Sequence, residues 1–208
     1  MAYPVHFDVE FQERYSRLST FFRLILAIPH IIWLALWGIA VEVVVFLSWF
    51  AILFTGRYPD GFFGFVSSYL SYVGRVNCYV SLLDDKFPPF GGGNPADGHP
   101  VQVSVDRPER LSRLTTLFRL FMAIPAYLVA YVLRLLGQLL AVFAWFVILV
   151  IGRLPVGLFE VMELPIRYQL RFTSYLFLVT DVYPWFQDET LKDPEPWTGP
   201  AGEADLAT

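Results

Sequence analysis

The chain repeats itself. ERYSRLSTFFRLILAIPH (13–30) lies over ERLSRLTTLFRLFMAIPA (109–126), WFAILFTGRYPDGFF (49–63) over WFVILVIGRLPVGLF (145–159), and YVGRVNCYVSLLDDKFPPF (72–90) over YQLRFTSYLFLVTDVYPWF (168–186). The offset is 96 residues throughout (109 − 13), no gap is needed, and 30 of the 86 positions from 5–90 are identical to their counterparts. A register held that long means two copies of one structural unit, so any fold must be built twice. The expected boundaries are 1–90 for the first repeat, 91–100 for a Gly/Pro-rich linker, 101–186 for the second repeat and 187–208 for an acidic, Pro-rich tail. Glycine and proline make the linker a flexible connector, and the tail has little to bury.

Each unit contains a block with almost no charge, 21–55 and 117–151. The whole chain is 56% hydrophobic and 16% charged, against about 25% charged in soluble domains, and its mean hydropathy is +0.51. So few charges leave a lipid bilayer as the natural solvent. One spanning helix takes about 20 residues. A block of 35 is long for one span and sufficient for two short ones, with Gly38 and Gly137 at the expected hairpin turns. Lysine and arginine stay cytoplasmic. Two spans per unit keep the basic residues on one side, with Arg134 alone opposite, whereas one span splits them. The expected architecture is therefore a mainly α, integral membrane protein. Each of its two tandem repeats has an N-terminal strand, a transmembrane helical hairpin and an interfacial amphipathic helix. That makes four spans, two parallel repeats and both termini cytoplasmic.

The flanking segments carry finer signals. Val5, Phe7 and Val9, like Val101, Val103 and Val105, alternate with polar residues, which marks half-buried strands that pair with each other or with another extended segment. Asp106 with Pro108 marks a helix start in the second copy. Pro29 and Pro125 either bend the first apolar helix of each unit or mark the end of an interfacial helix just before them. Gly56-Arg57-Tyr58-Pro59 and Gly152-Arg153-Leu154-Pro155 are turns at the membrane surface. A helix from 62 to about 79 follows, with Ser67, Ser71, Gly74 and Cys78 as a stripe of small residues suited to close packing. The segments 62–83 and 158–179 are assigned to the interface, although sequence alone leaves them between interface and membrane. The N-terminus has no basic region before an apolar core, so the first apolar block doubles as the targeting signal.

The repeated block resembles a bacterial membrane family of unknown function, family 4389. Phe22-Arg23-Leu24, Ala27-Ile28-Pro29-His30, the run 49–59 and Arg75-Val76-Asn77-Cys78-Tyr79 carry the likeness in the first unit. The second unit matches too, but has Ala126 where the first has His30 and Thr173 where it has Asn77. The resemblance implies a bacterial inner membrane and names no activity.

Chemistry is sparse. One cysteine excludes an internal disulfide, and three scattered histidines make no metal pattern. His30 lacks a partner histidine at Ala126, so no haem is expected, and neither a nucleophile elbow nor a phosphate loop occurs. No catalytic residue and no cofactor is expected. A net charge of −4 argues against nucleic acid. Six arginines matched between the repeats, Arg23, Arg57, Arg75, Arg119, Arg153 and Arg171, are candidate contacts for anionic lipid head groups. Glu42 and Arg134 interrupt the apolar blocks and are a candidate inter-repeat ion pair. The function expected is that of a non-enzymatic membrane accessory or scaffold protein, with membrane lipids and a membrane-protein partner or a second copy as its contacts. Anionic lipid handling is the alternative, and small-solute transport ranks below both.

Overall fold

The computed structural model describes residues 3–92 and 98–185; the expected tail and the middle of the linker lie outside them. The order is β1 (Val5–Val9), α1 (Arg17–Thr55), α2 (Asp60–Val80), β2 (Val101–Val105), α3 (Arg113–Ile151) and α4 (Val156–Leu176). The repeat is visible as β-α-α twice over. Helices dominate, as expected, and each strand pairs with the other.

The expected hairpins are absent. Each apolar block is one unbroken 39-residue helix that runs through Pro29 or Pro125 and through Gly38 or Gly137. A single glycine without neighbouring turn residues does not reverse a chain that is otherwise rich in helix formers. The two glycines admit rings instead. A Cβ at Gly38 would meet the Tyr69 hydroxyl at 3.0 Å, and one at Gly137 would meet Pro165 at 3.1 Å. The helix start is also displaced from Asp106–Pro108. Ser112 caps α3 by accepting from Thr115 N at 3.3 Å, as Ser16 caps α1 through Ser19 N at 3.3 Å. Both long helices stop at a glycine in the left-handed region, Gly56 (φ 72) and Gly152 (φ 77), whose N–H groups return to Ile52 and Ile148 at 2.7 Å.

The repeats are antiparallel, not parallel, and are related by a twofold. β1 and β2 pair antiparallel with Phe7 opposite Val103, residues equivalent by the 96-residue offset. The start of α1 meets the end of α3 and the reverse. Tyr15 N donates to Gly152 O (3.2 Å) and Leu111 N to Gly56 O (2.9 Å). Trp145 donates to Thr20 O (3.0 Å) and Trp49 to Thr116 O (3.1 Å). The twofold therefore passes through the centre of the β ribbon and between the midpoints of α1 and α3.

Three layers stack along this axis. The long helices form one outer layer, α2 and α4 the middle layer, and the ribbon the other outer layer; neither long helix approaches the ribbon backbone. The strands cross over, β2 packing on α2 and β1 on α4, so each repeat's strand covers the other repeat's helix. Gly74 allows this closeness, since a Cβ there would meet Val103 at 2.5 Å. The small-residue stripe thus receives a strand at its glycine. The core lies between the layers. One cluster joins Phe7, Val9, Val101 and Val103 to Ile148, Met162, Ile166 and Leu170, and another joins Val41 and Ile52 to Val66 and Leu70.

The outer layers differ in chemistry. On α1, the buried residues Thr20, Arg23, Ala27, His30, Val41, Ser48 and Ile52 form a narrow stripe, while Leu24, Ile25, Ile32, Leu36, Ile39, Phe46 and Phe54 are exposed. α3 repeats the pattern. Both are long and apolar enough to cross a membrane, and little of either is buried within the chain. The ribbon buries Val5, Val9, Val101 and Val103 and turns Asp8 and Gln102 outward.

Candidate functional site

The matched arginines separate into three groups. Arg23 and Arg119 are internal clamps. α2 ends at Val80, and the chain turns through Leu82 in the left-handed region (φ 65). This leaves helix-end carbonyls without helical donors. Arg23 supplies them, donating from Nη1 to Tyr79 O (2.7 Å) and Asp84 O (2.8 Å) and from Nη2 to the Asp85 carboxylate. Its guanidinium lies 4.6 Å from the Tyr79 ring centroid. The second Asp85 oxygen accepts from Ser16 N at 3.0 Å, so one carboxylate ties the start of α1 to the end of α2. Arg119, Tyr175, Thr180 and Asp181 repeat the arrangement, with Ser112 N on Asp181 at 2.6 Å. Each arginine is 2% exposed. The expectation that they reach lipid head groups is corrected, because both side chains are buried and their Nη groups are bonded inside the fold.

Arg75 and Arg171 are buried as well. Arg75 donates to Gly91 O at 2.9 Å, and Arg171 lies 4.6 Å over the Tyr3 ring. Of the six, only Arg57 and Arg153 stand on the surface. Each occupies a corner where one long helix ends and the other begins. Arg57 shares a shallow polar depression with Arg110 and Arg113. The twofold places Arg153 with Arg14 and Arg17 at the opposite corner, where Arg17 donates to Val150 O at 3.0 Å. All six corner arginines are exposed.

Glu42 and Arg134 do not pair; no ion pair joins them among the described residues. The twofold explains why. The antiparallel pairing that sets Trp49 against Thr116 brings Arg134 opposite Ile31, about three helical turns from Glu42. Arg134 instead lines a groove of about 920 Å³ between the repeats. Leu24 and Ile31 of α1 and Val142 and Phe146 of α3 give its apolar walls. Asn77 and Ser81 of α2, Gln138 of α3 and Gln169 of α4 add polar groups. In the other half the equivalent space is filled. Tyr69 stands where Pro165 lines the groove, Phe177 where Ser81 does, Val41 for Gly137 and Val73 for Gln169. The Tyr69 and Phe177 rings approach to 6.2 Å, and Trp37 lies 5.5 Å from Tyr69.

A second asymmetry is a buried acid and histidine. Asp84 Oδ2 lies 3.6 Å from His99 Nε2, with 0% and 4% of the side chains exposed. Asp84 Oδ1 accepts from Lys86 N (2.9 Å) and Gln12 (3.3 Å). Val101 N donates to His99 Nδ1 at 3.2 Å, which leaves the proton of the neutral ring on Nε2. Burial raises the Asp84 carboxyl above its usual range and lowers His99 to about 4. The second half has Thr180 and Tyr3 at these places, with no titrating pair. No cluster of three or more metal-ligating side chains occurs among the described residues.

The clamp carboxylates, the corner clusters, the Asp84–His99 pair and the groove were missed in the sequence. Asp85 and Asp181 could have been found, since they are identical at the 96-residue offset. The groove left a weaker signal, in small or polar residues in one copy facing large apolar ones in the other.

A family model described as "Domain of unknown function (DUF4389)" matches the chain twice, over residues 17–91 and 113–188. Each match opens at the first residue of a long helix and closes after its clamp carboxylate. No curated protein and no solved structure matches the chain.

Proposed function

We propose, from the premise that this chain belongs to the DUF4389 family with two copies of its domain, that it is a non-enzymatic accessory protein of a bacterial inner membrane, embedded from the cytoplasmic side. The observation that carries this reading is the opposition of the two outer layers, exposed apolar helices on one side and a polar ribbon on the other.

The twofold supports one orientation. A 39-residue helix is about 58 Å long, roughly twice the hydrocarbon thickness of a bilayer. If α1 and α3 stood upright, the ribbon on their twofold would lie near the bilayer centre with Asp8 exposed, at a cost of about 3 kcal/mol for each such charge. Upright helices would also place the corner clusters of Arg14, Arg17 and Arg153 and of Arg57, Arg110 and Arg113 on opposite membrane faces. With the twofold along the membrane normal, α1 and α3 lie along the membrane, the ribbon faces water, and both clusters share one side, as arginine placement requires. Tyr3 donates to Val182 O at 3.1 Å, which puts the first and last described segments on that same side. This reading replaces four spans with two embedded helices.

Cysteine labelling from each membrane face tests it. In a Cys78→Ser background, Arg14→Cys and Arg57→Cys are expected to react with an impermeant maleimide from the same face, and Leu36→Cys from neither. Labelling of positions 14 and 57 from opposite faces overturns one-sided insertion, and labelling of position 36 from the far face restores a hairpin.

A further inference from the structure

Two equivalent spaces flank the twofold, and one is packed while the other is open. In the packed half the Tyr69 and Phe177 rings meet between α2 and α4, and Val41, Val66 and Leu70 are buried beneath them. In the open half Pro165 and Ser81 stand in place of those rings, Gly137 in place of Val41 and Gln169 in place of Val73, while Asn77 and Gln138 stand where the packed half has Thr173 and Glu42. The frame is common to both halves, so the open space does not arise from the fold. It arises from side chains that withdraw volume and supply hydrogen-bonding groups together.

The groove also holds a cation. Arg134 is exposed in the middle of an apolar helix and forms no ion pair with another described residue. Its equivalent in the packed half is Gly38. Gln138, one helical turn further along α3, replaces Glu42 of the packed half, so the open half carries no carboxylate at that place. An arginine among apolar residues without an acidic neighbour calls for an anion from elsewhere. The apolar walls of Leu24, Ile31, Val142 and Phe146 call for a hydrocarbon chain, and about 920 Å³ lies at the upper end of the range for small-molecule sites.

We infer that the groove between the repeats binds one anionic phospholipid, its phosphate on Arg134, its ester oxygens within reach of Gln138, Gln169 and Asn77, and an acyl chain along the apolar walls. This rests on the membrane reading above, because the occupant is a membrane lipid. Of the matched clamp arginines, Arg23 also borders the groove, with its Nη groups held by Tyr79, Asp84 and Asp85.

Native mass spectrometry of the full chain in detergent tests the site, with phosphatidylglycerol and phosphatidylcholine titrated separately. The wild type is expected to retain one phosphatidylglycerol in preference to phosphatidylcholine. Arg134→Gln should weaken that binding about fivefold or more. Gln138→Glu, which installs the carboxylate of the packed half, should weaken it as well. Ser81→Phe and Val142→Phe, which install the packed half's rings, should abolish retention of either lipid, and two filling variants guard against one that misfolds. A wild type that retains no lipid selectively, or variants that all match it in stoichiometry and preference, overturns the site. Binding in detergent does not depend on orientation, so failure here leaves the labelling result standing. A chain that purifies without detergent removes the membrane reading and the site together.

Discussion

The two halves of the molecule agree at their clamps and differ in their interiors. Arg23 and Arg119 make the same bonds to the same positions of their own repeats, and the tryptophan bonds between the long helices recur in both directions. Between these fixed points the two sides of the twofold, each built from both repeats, part company. One has Tyr69 and Phe177 where the other has Pro165 and Ser81; one has a buried acid–histidine pair where the other has Thr180 and Tyr3. A helix end with unpaired carbonyls admits few solutions, so the guanidinium clamp appears twice. Interior volume admits many, and there the two copies hold different side chains.

The strongest way to break the comparison is at the clamps. Arg23→Gln removes the guanidinium donors of the Asp85 carboxylate and of the carbonyls of Tyr79 and Asp84, leaving a half-buried carboxylate without its cation. Breaking a buried charge pair from one side costs roughly 3–5 kcal/mol. Arg119→Gln should cost about the same, because its partners are equivalent. Thermal unfolding of each variant in detergent checks this. A loss confined to one half, or a mild effect at both, would show that the clamps do not organise the repeats. A smaller effect is expected at Gly74, which has Leu170 as its equivalent. Gly74→Leu drives a side chain into Val103 and should cost roughly 2–3 kcal/mol. Faster amide exchange across Val101–Val105, with α4 unchanged, is the signature of a ribbon lifted from α2. Uniform exchange across both halves would mean that the crossed strands do not dock independently.

Much of the frame was legible in the sequence. The gapless offset required two copies of one unit, and period-two valines gave both strands, with their pairing to each other as one of two options. The third segment of each unit is a helix close to where the pattern placed it, Asp60–Val80 and Val156–Leu176. The hairpin was not there to be read. Apolar length fits two short upright helices and one long recumbent helix equally, and only tertiary contact tells them apart. Likewise a matched arginine announces that it matters without saying to what. Arg23 and Arg57 look alike in sequence, yet one faces the carbonyl end of α2 and the other faces solvent. The groove required knowing that residues 81 and 165, far apart in the chain, line one space.

The least of the expected effects belongs to the acid–histidine pair, which only the first half carries. Burial lowers His99 to about 4 from its unfolded value near 6.5, so the folded chain resists a proton that the unfolded chain accepts. The stability that neutral His99 contributes is therefore complete above pH 6.5 and is lost as the pH falls toward 4. Asp84 works in the opposite sense. Its raised carboxyl takes up a proton more readily when folded, which relieves a buried charge as the pH falls and offsets part of the loss. His99 by itself removes up to about 3 kcal/mol between pH 6.5 and 4, and Asp84 reduces that change. His99→Gln removes the histidine and keeps a hydrogen-bonding side chain, so the difference in unfolding free energy between wild type and variant should shrink with acid over this interval. The amides of β2, beside His99, should register it most. A difference that stays flat with pH would mean that His99 exchanges protons as freely in the fold as outside it, and the first half would then match the second in its response to acid.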